Sequence, residues 1–585
     1  MARRGRLSRA VRVALACAGL AVLLAVPAEG MAQGPVGSLN DLLALGQGGG
    51  QTPDEVPVQM PPAPPLVATP RAHCDPGSKP EPGVQGRVPA GSATDGLWCN
   101  VTLLSHQGTS GGFKVFRYVD EAGHECAFYD TALLFPLNAL NLSSSGVGVV
   151  VLDMADPAHP VRTDLLTEPP MLSPHESLNL NVRRGLLAAV DGNPSTYPGL
   201  VSIYDVHADC RHPVLDSTAL DARFGHESGF TTDGRTFYAT GTAVSAITAI
   251  DVTDPKAPHP VWHGNVYSHG MTLSDDGNRA YIADPSGRDM LILDTSEIQA
   301  RKPDPQAREI SRITWNAASI PQNAIPFTRD GHPYVLEFDE YDASTLGTGS
   351  PDDVGAARII DIADERAPRI VSYLRLEVDQ PAEHHAAAED PGGHGSPQGY
   401  AAHYCNIPTR VDPEVVACSF IASGLRVFDI SDVTAPKEIG YFVAPTRSRV
   451  ENGEEASDFA MSQPAFVPER REIWFTDGTS GFYALRVNQD VWPQSAAAPS
   501  ATLVCRNRRP FGVRVRLPHG AGVRQIRATL AGRAVSGVRR RGRTVRLTVD
   551  LRGLRRVVAA LVVRARLRDG RTVTVRRVFH PCARG

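Results

Sequence analysis

The chain has 585 residues, too many for one ordinary hydrophobic core, so several domains or a repeat architecture is expected. Its hydrophobic fraction of 42% fits a globular protein, and nothing past the N-terminus is apolar for long enough to cross a membrane as a helix. The net charge of −4 conceals two bodies of opposite sign. Residues 498–585 carry 23 Arg and two Asp, a balance of +21, while the remaining 36 basic and 61 acidic residues give −25.

Residues 1–32 read as a secretory signal peptide: an Arg-rich head, an apolar stretch from Val13 to Val26, then small residues suited to cleavage. Cys17 lies inside the apolar stretch with too little hydrophobic sequence before it for a lipoprotein anchor. A secreted or cell-surface location follows. Residues 33–95, rich in Gly, Pro, Ser and Gln, predict a disordered linker. Eight cysteines remain after the signal, an even number that in an exported chain predicts disulfides. Cys405 and Cys418 flank a short turn-bearing segment and are expected to join neighbouring strands, and Cys505 with Cys582 would tie together the ends of the basic region. Among Cys74, Cys99, Cys126 and Cys210 the pairing stays open, with Cys99–Cys126 the first choice. No Cys-x-x-Cys occurs, which makes a cysteine zinc site the weaker reading.

From about residue 96 to 490 a unit recurs: an apolar strand ending in Asp, a Pro-containing turn, then another strand. The copies include "VVVLDMADPAHPV" (149–161), "ITAIDVTDPKAPHPV" (247–261), "ARIIDIADERAPRIV" (357–371) and "LRVFDISDVTAPKEI" (425–439). The markers Asp153, Asp205, Asp251, Asp294, Asp361, Asp429 and, in the last copy, Arg486 lie 43 to 68 residues apart, a spacing typical of propeller blades. Each Asp is expected to accept backbone N–H bonds in the turn that follows it. The last copy lacks a fourth strand, and a spare strand, "VTLLSHQG" (101–108), precedes the first copy. An N-terminal strand completing the last blade would close a seven-bladed β-propeller and hide both sheet edges. These repeats resemble those of the bacterial LVIVD-repeat β-propeller proteins. The resemblance implies an exported propeller and says little about its chemistry.

The first strand of each propeller blade lines the central channel. Counting back from the turn glycine in "HESGFTTDG" and "HGMTLSDDG" gives His226 and His269; the same count gives Asn323 in "NAIPFTRDG", and related positions give His175, His403 and Ser462. Residues at one repeat position should converge on the axis, with Glu176 and Glu227 beside two of the imidazoles to orient one or act as a base. Imidazole clusters suit zinc, copper or iron, and His175, His226, His269 and His403 are the candidate ligands, with Asn323 and Glu227 nearby. The same residues could instead plug the channel by hydrogen bonding or line an organic ligand site. "EFDEYD" (337–342) clusters Glu337, Asp339, Glu340 and Asp342, which read as an acidic rim in the absence of a spaced calcium loop. No phosphate loop, nucleophile elbow or His-Glu-x-x-His occurs.

After a linker at 491–500, residues 501–585 alternate apolar residues with Arg, as in "FGVRVRL" and "RTVRLTVD". Period-two alternation predicts a small β-sandwich with one buried and one Arg-studded face. Such a face suits an anionic cell-surface polymer, while export and the lack of stacking aromatics disfavour nucleic acid. The sequence as a whole therefore reads as an all-β exported binding or adhesion module, with an unknown ligand or protein on the propeller face. The alternative is a metal-dependent oxidoreductase or hydrolase built on the His cluster.

Overall fold

A computed structural model describes residues 50–132, 146–192, 199–241, 245–341, 350, 352–393, 399–447 and 457–493, and in the C-terminal part 510–516, 523–530, 533–541, 544–552, 559–568 and 572–579. The chain divides into two compact units, Met1–Ala496 and Ala497–Gly585. The expected signal peptide, Cys505 and Cys582 lie outside the described residues.

Among the described residues of the first unit, seven sheets follow one another along the chain, the first six each built on four antiparallel strands consecutive in sequence. Their first strands are Val115–Val119, Asn179–Asn181, Glu227–Phe230, Met271–Leu273, Ile320–Arg329, Ala402–Asn406 and Ala465–Val467. The seventh sheet takes its fourth strand from the N-terminal side: Val101–Gln107 pairs antiparallel with Gly481–Val487. The other pairs within these four-stranded sets join consecutive strands, so the connecting turns set their register. The recurrent Asp contributes to those turns. Asp153, Asp205, Asp251, Asp294, Asp361 and Asp429 each accept the backbone N–H two residues on, at 2.7–2.9 Å. This side-chain turn satisfies a donor that the ladder no longer serves.

The middle strands are apolar on both faces, and the packing explains why. Seven apolar clusters each combine residues of two neighbouring sheets. Phe128 and Val151 of the first sheet meet Leu187 and Tyr204 of the second, while Ala127 and Leu152, on the opposite face, meet Trp474 and Phe482 of the seventh. The other five clusters join the intervening pairs in order. Each sheet is thus buried on two sides, which calls for near-continuous Val, Ile and Leu rather than alternation. Backbone bonds also link the first and last sheets: Val115 N–H donates to Gln463 O, and Gln463 N–H donates to Phe113 O.

The segment expected as a disordered linker is packed from residue 50 onward. Val58–Gln59 adds a parallel fifth strand beside Arg308–Ile313, and Leu97–Cys99 adds an antiparallel one beside Lys437–Val443. Arg87 pairs with Asp390 at 2.7 Å, and Glu81 reaches the buried Arg426 at 2.7 Å. Composition misleads here because the segment borrows its core and its partners from the sheets rather than building its own.

Three disulfides are present among the described residues. Cys405–Cys418 joins neighbouring strands as expected. Cys99 and Cys126, however, do not pair: Cys74 binds Cys99, and Cys126 binds Cys210. The packed N-terminal segment carries Cys74 to the strand Leu97–Cys99, and Cys126 faces the second sheet, where Cys210 sits. Three disulfides fit an oxidising compartment. No helix among the described residues is long and apolar enough to cross a membrane.

Among the described residues, the second unit contains a three-stranded and a four-stranded antiparallel sheet. Val513, Val545, Leu547 and Val549 of the first share one apolar core with Ala528, Leu530, Leu561 and Val563 of the second. Arg539–Arg541 form an exposed strand.

Candidate metal centre

The four predicted histidines come together at the starts of the second, third, fourth and sixth sheets. His175 and His226 have ring centroids 4.5 Å apart, and His226 and His269 are 5.1 Å apart. Phe113, two residues ahead of the first sheet, closes the group, its ring 4.4 Å from His175 and 5.4 Å from His403. His403 is fully buried and the other three are at most 8% exposed. His175 has a positive φ of 48°, a conformation few non-glycine residues adopt.

Two carboxylates enter among the rings. Glu176 Oε2 lies 3.0 Å from His226 Nε2 and 3.3 Å from His269 Nε2, and its Oε1 lies 3.2 Å from His403 Nε2. Glu340 places Oε1 3.4 Å from His269 Nε2 and Oε2 3.0 Å from His403 Nε2. Ligand-type atoms of His175, Glu176 and His226 lie within 4.8 Å of one another, as do those of Glu176, Glu340 and His403. Glu340 is the residue sequence reasoning misplaced. It ends the strand His332–Glu340 and is buried, as are Glu337 and Asp339, which bind the buried Arg358. The expected acidic rim is an internal feature; Asp342 lies outside the described residues.

The tautomers follow from the opposite edges of the rings. His269 Nδ1 is 3.1 Å from the Pro321 carbonyl and His403 Nδ1 is 2.6 Å from the Met461 carbonyl. A carbonyl only accepts, so each Nδ1 carries the proton and donates. In a neutral ring Nε2 is then a lone pair, and both Nε2 atoms face carboxylate oxygens. That arrangement repels unless positive charge lies between the donors: a second proton on each ring, or a cation. Burial lowers the His269 and His403 pKa, but Glu340 and Glu176 outweigh it and push both up to about 9. Burial would likewise raise Glu176, yet His269, His226 and His403 hold it well below the usual carboxylate range.

Two observations fit a cation. His403 Nε2 and Glu176 Oε2 are enclosed and make no aligned hydrogen bond among the described residues. Moreover, donors 2.0–2.1 Å from a tetrahedral ion stand roughly 3.3 Å apart, and the five His–Glu separations run from 3.0 to 3.4 Å. The described residues therefore include a His and Glu group able to hold a metal.

Glu227 and Asn323 occupy an adjoining polar layer. Glu227 Oε1 accepts from Lys114 Nζ at 2.7 Å, Asn323 Nδ2 at 2.7 Å and Tyr404 Oη at 3.1 Å, while Oε2 accepts from Met271 N–H at 3.1 Å. Asn323 misses the imidazole position because a bulge between Pro321 and Asn323 inserts Gln322 and slips the register. Gly270 is required beside this layer, since a Cβ there would collide with Glu227 Oε2 and the Gln322 carbonyl. Burial raises the Glu227 carboxyl, an effect that Lys114 opposes. Lys114 carried no recognisable signal in the sequence. Elsewhere, Asp120, His124 and Asp209 also cluster, but the Arg211 guanidinium already neutralises Asp209.

No family model matches the sequence, and no curated protein is close enough to count as a relative. Among solved structures, the chain is similar to a putative 6-phosphogluconolactonase from Bacteroides fragilis, with 12% identity over 58% of this chain and 90% of the other and a TM-score of 0.37. It is also similar to the periplasmic gluconolactonase PpgL of Pseudomonas aeruginosa, at 14%, 59%, 93% and 0.39. A third similarity is to Kuenenia stuttgartiensis hydrazine synthase, at 12%, 65%, 97% and 0.39. Values this low transfer no activity.

Proposed function

We propose that the first unit is an exported seven-bladed β-propeller of the LVIVD-repeat kind that holds a transition-metal ion at its axis and works as a metal-dependent oxidoreductase or hydrolase. The observation that carries this reading is the convergence of imidazole Nε2 atoms and carboxylate oxygens at ligand-to-ligand spacing, with Nδ1 of His269 and His403 committed to carbonyls. The cyclic order of the apolar clusters and the pairing of Val101–Gln107 with the seventh sheet support the propeller. Zinc, copper and iron suit this donor set. Such an ion would supply Lewis acidity or electron transfer. The chain's own contribution is to fix the rings through Pro321 and Met461, to exclude bulk water with Phe113, and to keep Glu227 paired with Lys114. Elemental analysis of protein purified without chelator tests the reading: stoichiometric metal, lost in the His226→Ala, His269→Ala double variant, is expected. A metal-free, folded wild-type chain would refute it.

A second reading concerns the basic unit, where the exposed Arg539–Arg541 strand favours docking to an anionic cell-surface polymer. In this reading the propeller is displayed at the surface as a binding module. Deleting residues 499–585 should release the protein from cells; unchanged fractionation would count against docking.

A further inference from the structure

The two carboxylates are used in an unusual way for a single ion. Each directs its two oxygens to different rings. Glu176 turns Oε2 to His226 and His269 and Oε1 to His403; Glu340 turns Oε1 to His269 and Oε2 to His403. A carboxylate serving one ion would bring one oxygen, or both, to a common set of partners. Here the split runs the same way in both residues, with His269 on one side and His403 on the other.

We infer that the cluster is a dinuclear site, in which Glu176 and Glu340 bridge two divalent transition-metal ions. The inference rests on the metal reading above. One ion takes His226, His269, Glu176 Oε2 and Glu340 Oε1; the other takes His403, Glu176 Oε1 and Glu340 Oε2. Paired ions in enzymes stand about 3.5–4 Å apart, a span that the two oxygens of one carboxylate bridge. The pair is asymmetric. The first ion has four protein ligands, the number of a closed site; the second has three, leaving a position for water or substrate. One divalent cation already offsets two buried carboxylates between neutral imidazoles, so the second ion would bring an anionic ligand such as hydroxide into its open position. Glu227 adds no uncompensated charge, because Lys114 neutralises it at 2.7 Å.

Titration of the metal-free full chain with cobalt(II), followed by calorimetry and visible absorption, tests the inference. Two equivalents are expected, with the four-ligand site filling first. His403→Gln should lose about one equivalent and His226→Gln should weaken the other, each variant being checked for an unchanged circular dichroism spectrum. Manganese(II)-loaded wild-type protein should give the electron paramagnetic resonance signature of a spin-coupled pair, which needs no variant. One equivalent with an uncoupled manganese signal overturns the dinuclear site and leaves the metal reading standing; no bound cobalt or manganese overturns both.

Discussion

His403 and Glu340 face each other across the fifth and sixth sheets with Nε2 and Oε2 3.0 Å apart, although His403 spends its other nitrogen on the Met461 carbonyl. A neutral imidazole in that tautomer offers Glu340 only a lone pair. The contact is therefore a sensor of what lies between the two atoms. Glu340→Gln keeps the shape and removes the negative charge, so metal affinity should fall at least about tenfold. The check is a competition titration against a chelator of known affinity. Unchanged affinity would make Glu340 a bystander.

The same geometry sets a pH signature. With His269 and His403 raised to about 9 by Glu340 and Glu176 against the opposing effect of burial, the folded metal-free chain holds protons more tightly than the unfolded one, whose imidazoles titrate near 6.5. Their stabilisation is therefore fully present below about 6.5 and is lost as pH rises towards about 9. Metal must displace those protons, so uptake at neutral pH should release about two of them and tighten as pH rises. Calorimetry in buffers of different ionisation enthalpy counts the protons, and melting curves of the metal-free chain between pH 6 and 10 follow the stability. A flat metal-free profile would mean that these rings are not charged.

Glu227 provides a test of the adjoining layer. Lys114 and Glu227 are both almost wholly buried, and the Lys114 Nζ also stands 4.0 Å from the Tyr404 ring. Lys114→Met leaves a buried carboxylate with only neutral donors, which should cost about 3–5 kcal/mol. The Lys114→Met, Glu227→Gln double variant should recover most of that loss, because it removes the charge along with its partner. Chemical denaturation of the set measures the coupling. Additive losses would show that the pair does not act as a unit.

The sequence made the repeating parts legible and left the long-range parts obscure. The apolar strand closed by Asp is a local feature, so its turn role at Asp153 through Asp429 could be read from spacing alone. His226 and His269 were found the same way, by one count back from the turn glycine, and His175 and His403 at related positions of their repeats. Counting failed where one strand broke the period: the bulge at Gln322 sent Asn323 to Glu227 instead of to the imidazoles. Glu340 belongs to a second strand rather than a first one, and no periodicity links it to His403. Cys126–Cys210 and Cys74–Cys99 depend on which sheet packs beside which, a property that spacing along the chain does not carry.

The N-terminal segment yields a further prediction, because its composition and its packing disagree. Glu81 contributes a carboxylate to Arg426, a guanidinium with no exposed surface that also meets Glu438 at 3.1 Å and lies over the Tyr441 ring at 4.4 Å. Gln85 donates to the same Glu438 at 3.0 Å. Arg426 is thus held from both sides, by its own sheet and by the segment laid across it. Glu81→Ala keeps the Glu438 pair but removes one charged hydrogen bond from a dry site, which should cost about 2 kcal/mol. A solvated spacer would lose nothing measurable from the same change. Deleting residues 50–95 should do far more, stripping the strand Val58–Gln59 from one sheet together with the Cys74–Cys99 bridge that anchors Leu97–Cys99 on another. Thermal melting of the two variants beside the wild type checks both expectations; a deletion variant that melts with the wild type would return the segment to the status of a tether.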